Sequence, residues 1–185
     1  MTDWLKNKRQ LFERVVLPHL EAAYNLAARL TNSHDADDVV QDAYLKAFRL
    51  FDSYQDHNSK AWILTIVRNT AYSWLHKNRR HRSHLAWDDE NLQALDPIHQ
   101  TGCLDPSDWL ALAADLSRLY AALDKLPFIF NEIIVLREIE GCDYKEISEI
   151  LSLPPGTVMS RLSRARQALQ QLLRLDKPKG MQNEL

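Results

Sequence analysis

The sequence predicts an all-α protein: two small helical domains joined by an acidic linker. Three observations carry that expectation. Apolar residues recur three and four apart through most of the chain, the spacing of a single buried helix face. Only 4 glycines and 7 prolines occur in 185 residues, too few for a loop-rich all-β fold or a mainly disordered chain. Charge is also partitioned, because the net −2 conceals a basic block, an acidic stretch and a near-neutral block. Residues 1–82 hold thirteen Lys/Arg against nine Asp/Glu, residues 83–115 hold seven acids and no Lys/Arg, and residues 116–185 hold ten against nine. The expected units are therefore a domain at 1–82, a linker at 83–107 and a second domain at 108–177.

In the first block, Leu11, Val15, Leu20, Tyr24, Ala27, Ala28 and Leu30 keep helical spacing, with a break expected at Pro18. The polar run Thr31-Asn32-Ser33-His34 ends that pattern, and Ser33 or Asp35 is expected to cap the next helix. Val40, Ala43, Tyr44, Ala47, Phe48 and Phe51 form its buried stripe. Residues 52–59 read as a loop. A helix then starts near Ser59, burying Ile63, Ile66, Val67, Thr70 and Trp74 and ending in the basic run 77–82.

Periodicity fails between Ser83 and Pro106, a stretch with two Asp-Pro pairs and Gly102. It resumes near Ser107 and continues through Leu112, Leu116, Leu119 and Leu123 to Leu126, where Pro127 intervenes. The next helix carries Ile133, Ile134 and Leu136 and stops near Gly141. Residues 143–151 read as a short helix facing inward with Ile147, Ile150 and Leu151. A turn at 152–156 leads to a longer helix at 157–173, buried through Val158, Leu162, Ala165, Leu169 and Leu172. Two helices joined by so short a turn make a helix-turn-helix.

Several function classes are disfavoured. No apolar run approaches the length of a membrane span, and the N-terminal residues lack a signal peptide's apolar core, so the chain is expected in the cytoplasm. Cys103 and Cys142 are far apart and match no metal-ligand spacing, so neither a disulfide scaffold nor a zinc site is expected. Asp35, Asp37, Asp38 and Asp42 form the densest carboxylate group, but they occupy the first turns of a helix, where the macrodipole favours negative charge. No Gly-rich phosphate loop or His-x-x-x-His pair is present. No enzyme, cofactor or metal is expected.

Nucleic-acid binding fits better. Lys60, Arg68, Lys77, Arg79, Arg80 and Arg82 occur without an intervening acid and are interleaved with Tyr72 and Trp74. Cations of this density release counterions from phosphates, and aromatic faces can stack on unpaired bases. A second patch runs from Arg161 through Arg164 and Arg166 to Lys179, opposed by Asp176 alone. Ser160, Arg161 and Arg164 lie three and four apart, away from Val158 and Leu162. Such a helix reads the major groove with its N-terminal half.

Three strings resemble the extracytoplasmic-function (ECF, group IV) sigma factors of the sigma-70 family of bacterial RNA polymerase. Residues 35–44, Asp-Ala-Asp-Asp-Val-Val-Gln-Asp-Ala-Tyr, are similar to the segment that grips the polymerase clamp helices. Residues 61–69, Ala-Trp-Ile-Leu-Thr-Ile-Val-Arg-Asn, resemble the promoter-melting helix. Residues 156–166, Gly-Thr-Val-Met-Ser-Arg-Leu-Ser-Arg-Ala-Arg, match the −35 reading helix. The resemblance implies that 1–82 is sigma region 2 and 108–177 is the helix-turn-helix region 4.

It further implies that Asp38, Gln41 and Asp42 contact core RNA polymerase at its clamp, with the flap as a second docking point. Tyr54 would hold a base flipped from the −10 element, Asn69 would help read that element, and Lys77, Arg79 and Arg80 would neutralise phosphates. Thr157, Ser160, Arg161, Arg164 and Arg166 would engage the −35 duplex, where family members often carry a basic residue at the position of Met159. An anti-sigma factor is the further partner implied. The alternative, a polymerase-independent helix-turn-helix regulator, explains the C-terminal half but gives residues 35–82 no role.

Overall fold

The computed structural model describes residues 2–55, 58–82 and 106–175, with side chains described in 6–55, 58–78 and 115–175. All regular structure among these residues is helical. The N-terminal module comprises α1 (Thr2–Val16), α2 (Leu20–Leu30), α3 (Ser33–Leu50) and α4 (Ser59–Arg82). A 3-10 turn at Leu17–His19 places Pro18 between α1 and α2, where its missing N–H removes no helical bond. A second 3-10 turn, Phe51–Ser53, closes α3.

Small residues let these helices approach closely. Helix α2 buries Ala22, Ala23, Leu26, Ala27 and Leu30. Against it α3 buries Ala36, Val39, Val40, Ala43 and Ala47, and α4 buries Ala61, Ile63, Leu64, Val67, Thr70 and Ala71. Ile66 and Trp74, expected in the core, are half-buried at its edge. Thr65, Thr70 and Ser73 each return a hydroxyl hydrogen bond of 2.8 Å to the carbonyl four residues back, which satisfies these polar groups inside α4. Helix α3 is capped by Asn32 rather than by Ser33 or Asp35. Asn32 is extended (φ −172°), and its side chain accepts from the Asp35 amide at 2.7 Å.

The C-terminal module comprises α5 (Pro106–Asp124), α6 (Phe128–Ile134), α7 (Tyr144–Leu151) and α8 (Pro155–Leu175). The expected linker at 83–107 lies outside the described residues up to position 105, and α5 already includes its last two positions. Residues Asn131 to Leu136 are buried without interruption, so the second half of α6 is enclosed, whereas Ile129 in its first turn is exposed. It widens into a π turn over Val135–Ile139, where the Glu140 amide reaches the Val135 carbonyl at 2.9 Å. Gly141, at φ +66°, then reverses the chain into α7.

A capping box fixes the start of α7. Asp143 accepts from the Glu146 amide, and Glu146 accepts from the Asp143 amide. The turn beyond α7 bends at Ser152 (φ 53°), which takes the left-handed conformation that closes many helices. Pro154 and Pro155 open α8 two residues before the expected Thr157, and Val158, Leu162 and Ala165 anchor it to α6.

The two modules lie against each other along a seam between α2 and α4 on one side and α5, α6 and α7 on the other. Acidic residues of the C-terminal module meet polar and basic residues of the N-terminal one. Glu132, whose side chain is fully buried, pairs with Arg68 at 2.6 Å. Asp124 pairs with Arg29 at 3.0 Å. Glu140 receives hydrogen bonds from Lys60 at its carbonyl and from Asn25 at its carboxylate (3.0 Å). Glu146 accepts from Asn58 at 2.7 Å. Around these polar contacts, Tyr72 packs edge-on against Phe128, and the Arg29 guanidinium lies over Tyr120 at 4.6 Å.

Candidate nucleic-acid interface

Three surfaces gather the residues singled out in the sequence. On α3, Asp38, Gln41 and Asp42 are exposed on the side opposite Val39, Val40, Ala43 and Ala47. Leu45, 58% exposed one turn further on, makes this an acidic face with an apolar step. Lys46 pairs with Asp42 at 2.9 Å, a solvated contact of little energetic weight.

The second surface joins the end of α3 to α4. Tyr54 is half-buried, its ring parallel to that of Phe51 at 5.6 Å and 5.0 Å from Trp62. Phe12 packs edge-on against Phe51 from below, so the aromatic shelf is supported by the core. Asn69 and Lys77 are exposed along α4. Arg79 and Arg80 belong to its last turns, but their side chains lie outside the described residues.

The basic row expected between Lys60 and Arg82 is only partly open. Lys60 and Arg68 face the seam and are partnered by Glu140 and Glu132. Tyr72 is likewise turned inward, its hydroxyl 3.3 Å from Glu132 and its ring against Phe128, so it is not an open base platform here. Burial, with the Glu132 charge second, pushes the Tyr72 hydroxyl above its ordinary value and keeps it a donor to that carboxylate. Sequence reasoning missed Glu132. Its signal was present: one carboxylate within the apolar run 128–136 must find a cation or remain protonated.

The third surface is the outer side of α8. Ser160 and Arg164 are exposed, while Thr157 and Arg161 are half-buried beside the buried Val158 and Leu162. Ser160 donates to the Thr157 carbonyl at 3.1 Å and Arg164 to the Ser160 carbonyl at 3.3 Å, so both side chains fold back along the helix. Arg166 is held by Glu138, at 2.9 and 2.6 Å from its Nε and a terminal nitrogen, and is the least free of the set. Met159, 54% exposed, borders an open depression of about 550 Å³ that Tyr144, Ser163, Arg166 and Gln167 also line.

Two family models match the chain: sigma-70 region 2 over residues 15–81, and sigma-70 region 4 over residues 116–169. The ECF RNA polymerase sigma-E factor of Escherichia coli is 32% identical over 169 residues, which cover 89% of this chain and 87% of that protein. The chain belongs to the ECF sigma factors of the sigma-70 family. A second relative, the ECF RNA polymerase sigma factor SigE of Mycolicibacterium smegmatis, is 35% identical over 164 residues; these are 88% of this chain but 61% of that longer protein.

The fold of this sigma factor is also that of two solved relatives. The sigma factor RpoE of Bartonella quintana, in complex with the anti-sigma factor NepR, superposes with a TM-score of 0.70 at 33% identity, covering 93% of this chain and 99% of that one. CnrH, in complex with the cytosolic domain of CnrY, superposes with a TM-score of 0.62 at 26% identity, covering 93% and 90%. Among the described residues no helix is long and apolar enough to cross a membrane.

Proposed function

We propose that this sigma factor uses the acidic face of α3 to bind the clamp of core RNA polymerase, α4 and its preceding turn to open the −10 element, and α8 to read the −35 duplex. It contributes no catalytic step of its own and acts in the cytoplasm. In this division of labour Asp38, Gln41 and Asp42 meet the polymerase. Tyr54 receives an unpaired base beside the Phe51–Trp62 shelf, Asn69 contacts the −10 strand, and Lys77, Arg79 and Arg80 neutralise its phosphates. Thr157, Ser160, Arg161, Arg164 and Arg166 meet the upstream duplex.

The observation that carries this reading is the division of α8 into a buried stripe of Val158, Leu162 and Ala165 and an outer row bearing Ser160 and Arg164. That division lets one helix stay docked in its module while it enters a major groove. The Tyr54 shelf supports the opening step, because strand separation costs roughly 1.4 kcal/mol per stacked step and stacking of released bases offsets it. An anti-sigma factor completes the set of proposed partners, by analogy with the complex of RpoE with NepR. Run-off transcription of genomic fragments with purified core enzyme tests the whole reading. New start sites that appear only with the added chain are expected, and an unchanged transcript pattern would overturn it.

A further inference from the structure

We propose that Met159 is a specificity-determining residue of α8, which selects thymine at one position of the −35 element by packing against its methyl group. This inference rests on the function proposed above and deepens it, since it names a base that the helix reads. The outer side of α8 is not uniform. At roughly 100° per residue, Arg164 and Arg161 lie to one side of Ser160, whereas Ser163 and Met159 lie to the other. Ser160, Ser163 and Arg164 are exposed. Met159, 54% exposed, stands at the margin of the stripe buried through Val158 and Leu162. One flank is thus cationic and the other apolar.

A single exposed methionine is ordinary; the surroundings of this one give it a task. Tyr144, 39% exposed at the start of α7, borders the same open depression, so a thioether and an aromatic ring line it together. The cations beside them are already engaged. Arg166 is held by Glu138 at 2.9 and 2.6 Å. The Arg137 guanidinium lies over the Tyr144 ring at 5.0 Å and donates to the Cys142 carbonyl at 2.8 Å. Gly156, one turn before Met159, carries no side chain, and a Cβ added there would meet nothing within 4 Å, which leaves the approach from the start of the helix open. In the major groove, guanine, adenine and cytosine offer hydrogen-bonding groups that a thioether satisfies poorly, whereas thymine adds a methyl group. Against a polar edge Met159 would displace water and leave those groups unpaired. Against thymine it buries apolar surface on both partners, so the choice of base comes from the penalty as well as the contact.

The test uses holoenzyme assembled from core enzyme and the full chain, on a promoter found by the run-off experiment. Each thymine of its −35 region, on either strand, is replaced in turn by deoxyuridine, which keeps every hydrogen-bonding group and removes only the methyl. One replacement is expected to weaken holoenzyme binding by about 4-fold, the worth of one buried methyl group. Met159→Ala should bind the thymine template more weakly and be indifferent to that replacement, and Met159→Leu should retain the response. Met159→Gln should shift the preferred base at that position toward adenine. Circular dichroism is expected to show all three variants folded, because the side chain they alter is exposed.

The proposal is overturned if no replacement weakens wild-type binding, or if Met159→Ala keeps the wild-type difference between the two templates. A uniform loss on both templates in that variant would place a polypeptide, not a base edge, against this flank. The run-off experiment separates the two claims. Promoter-directed starts with binding indifferent to the methyl would remove the thymine contact alone, whereas absence of such starts with wild-type chain removes the sigma reading beneath it.

Discussion

Arg164 stands on solvent at the outer side of α8, with Arg161 half-buried one turn earlier, and each fork has donors to spare for a base edge. Arg161→Ala or Arg164→Ala should weaken −35 recognition by about 1–3 kcal/mol each. Footprinting of the holoenzyme reads this directly, and full −35 protection in both variants would contradict the assignment. Cys142 behaves in the opposite way. Burial pushes its thiol from 9.0 up to about 11, with smaller contributions from Glu146, Glu140 and Asp143 partly offset by Lys60. A pKa raised on folding stabilises the folded chain below about pH 9 and loses that contribution as pH climbs through about 11. Alkylation near pH 8 should accordingly be far slower at Cys142 in native protein than in urea, as peptide mapping by mass spectrometry would reveal; equal rates would show the thiol to be accessible. Cys103 lies outside the described residues.

At the level of the helix, the capping box makes α7 self-sufficient. Asp143→Ala removes the acceptor for the Glu146 amide and should cost about 0.5–2 kcal/mol, seen as a lower urea midpoint. On α3, Asp38→Ala combined with Gln41→Ala leaves Val39, Val40 and Ala43 in place, so the double variant should fold normally yet bind core polymerase more weakly. Wild-type affinity in a competition assay against the unmodified chain would refute that role. Most helices were legible because apolar spacing alone states which side is buried. Their ends were less so. Asn32, Ser33 and Asp35 are all competent caps, and the choice of Asn32 follows from turning Ala36, Val39 and Val40 inward together. The start of α8 was read two residues late because two prolines look like turn residues, although the first turn of a helix tolerates them.

Across the whole molecule, permanganate should find reactive thymines near the start site when the chain joins core enzyme at promoters it serves. Complete protection there would show that it recruits polymerase without holding separated strands. The two modules themselves were readable from the charge partition and from the loss of helical spacing between Ser83 and Pro106. Their seam was not, because Arg68 and Glu132 are 64 positions apart and Asn25 and Glu140 are 115 apart. Local periodicity ranks a residue as inward or outward but is silent about which distant surface completes it. The candidate surfaces divided the same way. The exposed rows of α3 and α8 follow from spacing alone, whereas the inward turn of Lys60, Arg68 and Tyr72 depends on acids contributed by another part of the chain.

Asn58 and Glu146 each serve two structures at once. Asn58 accepts the Ala61 amide with its oxygen, fastening the first turn of α4, and offers its nitrogen to Glu146. Glu146 keeps one oxygen for the Asp143 amide and lends the other to Asn58. Breaking that single shared bond costs neither helix its own fastening. Each helix thus keeps the fastening of its own first turn whether or not that bond is made.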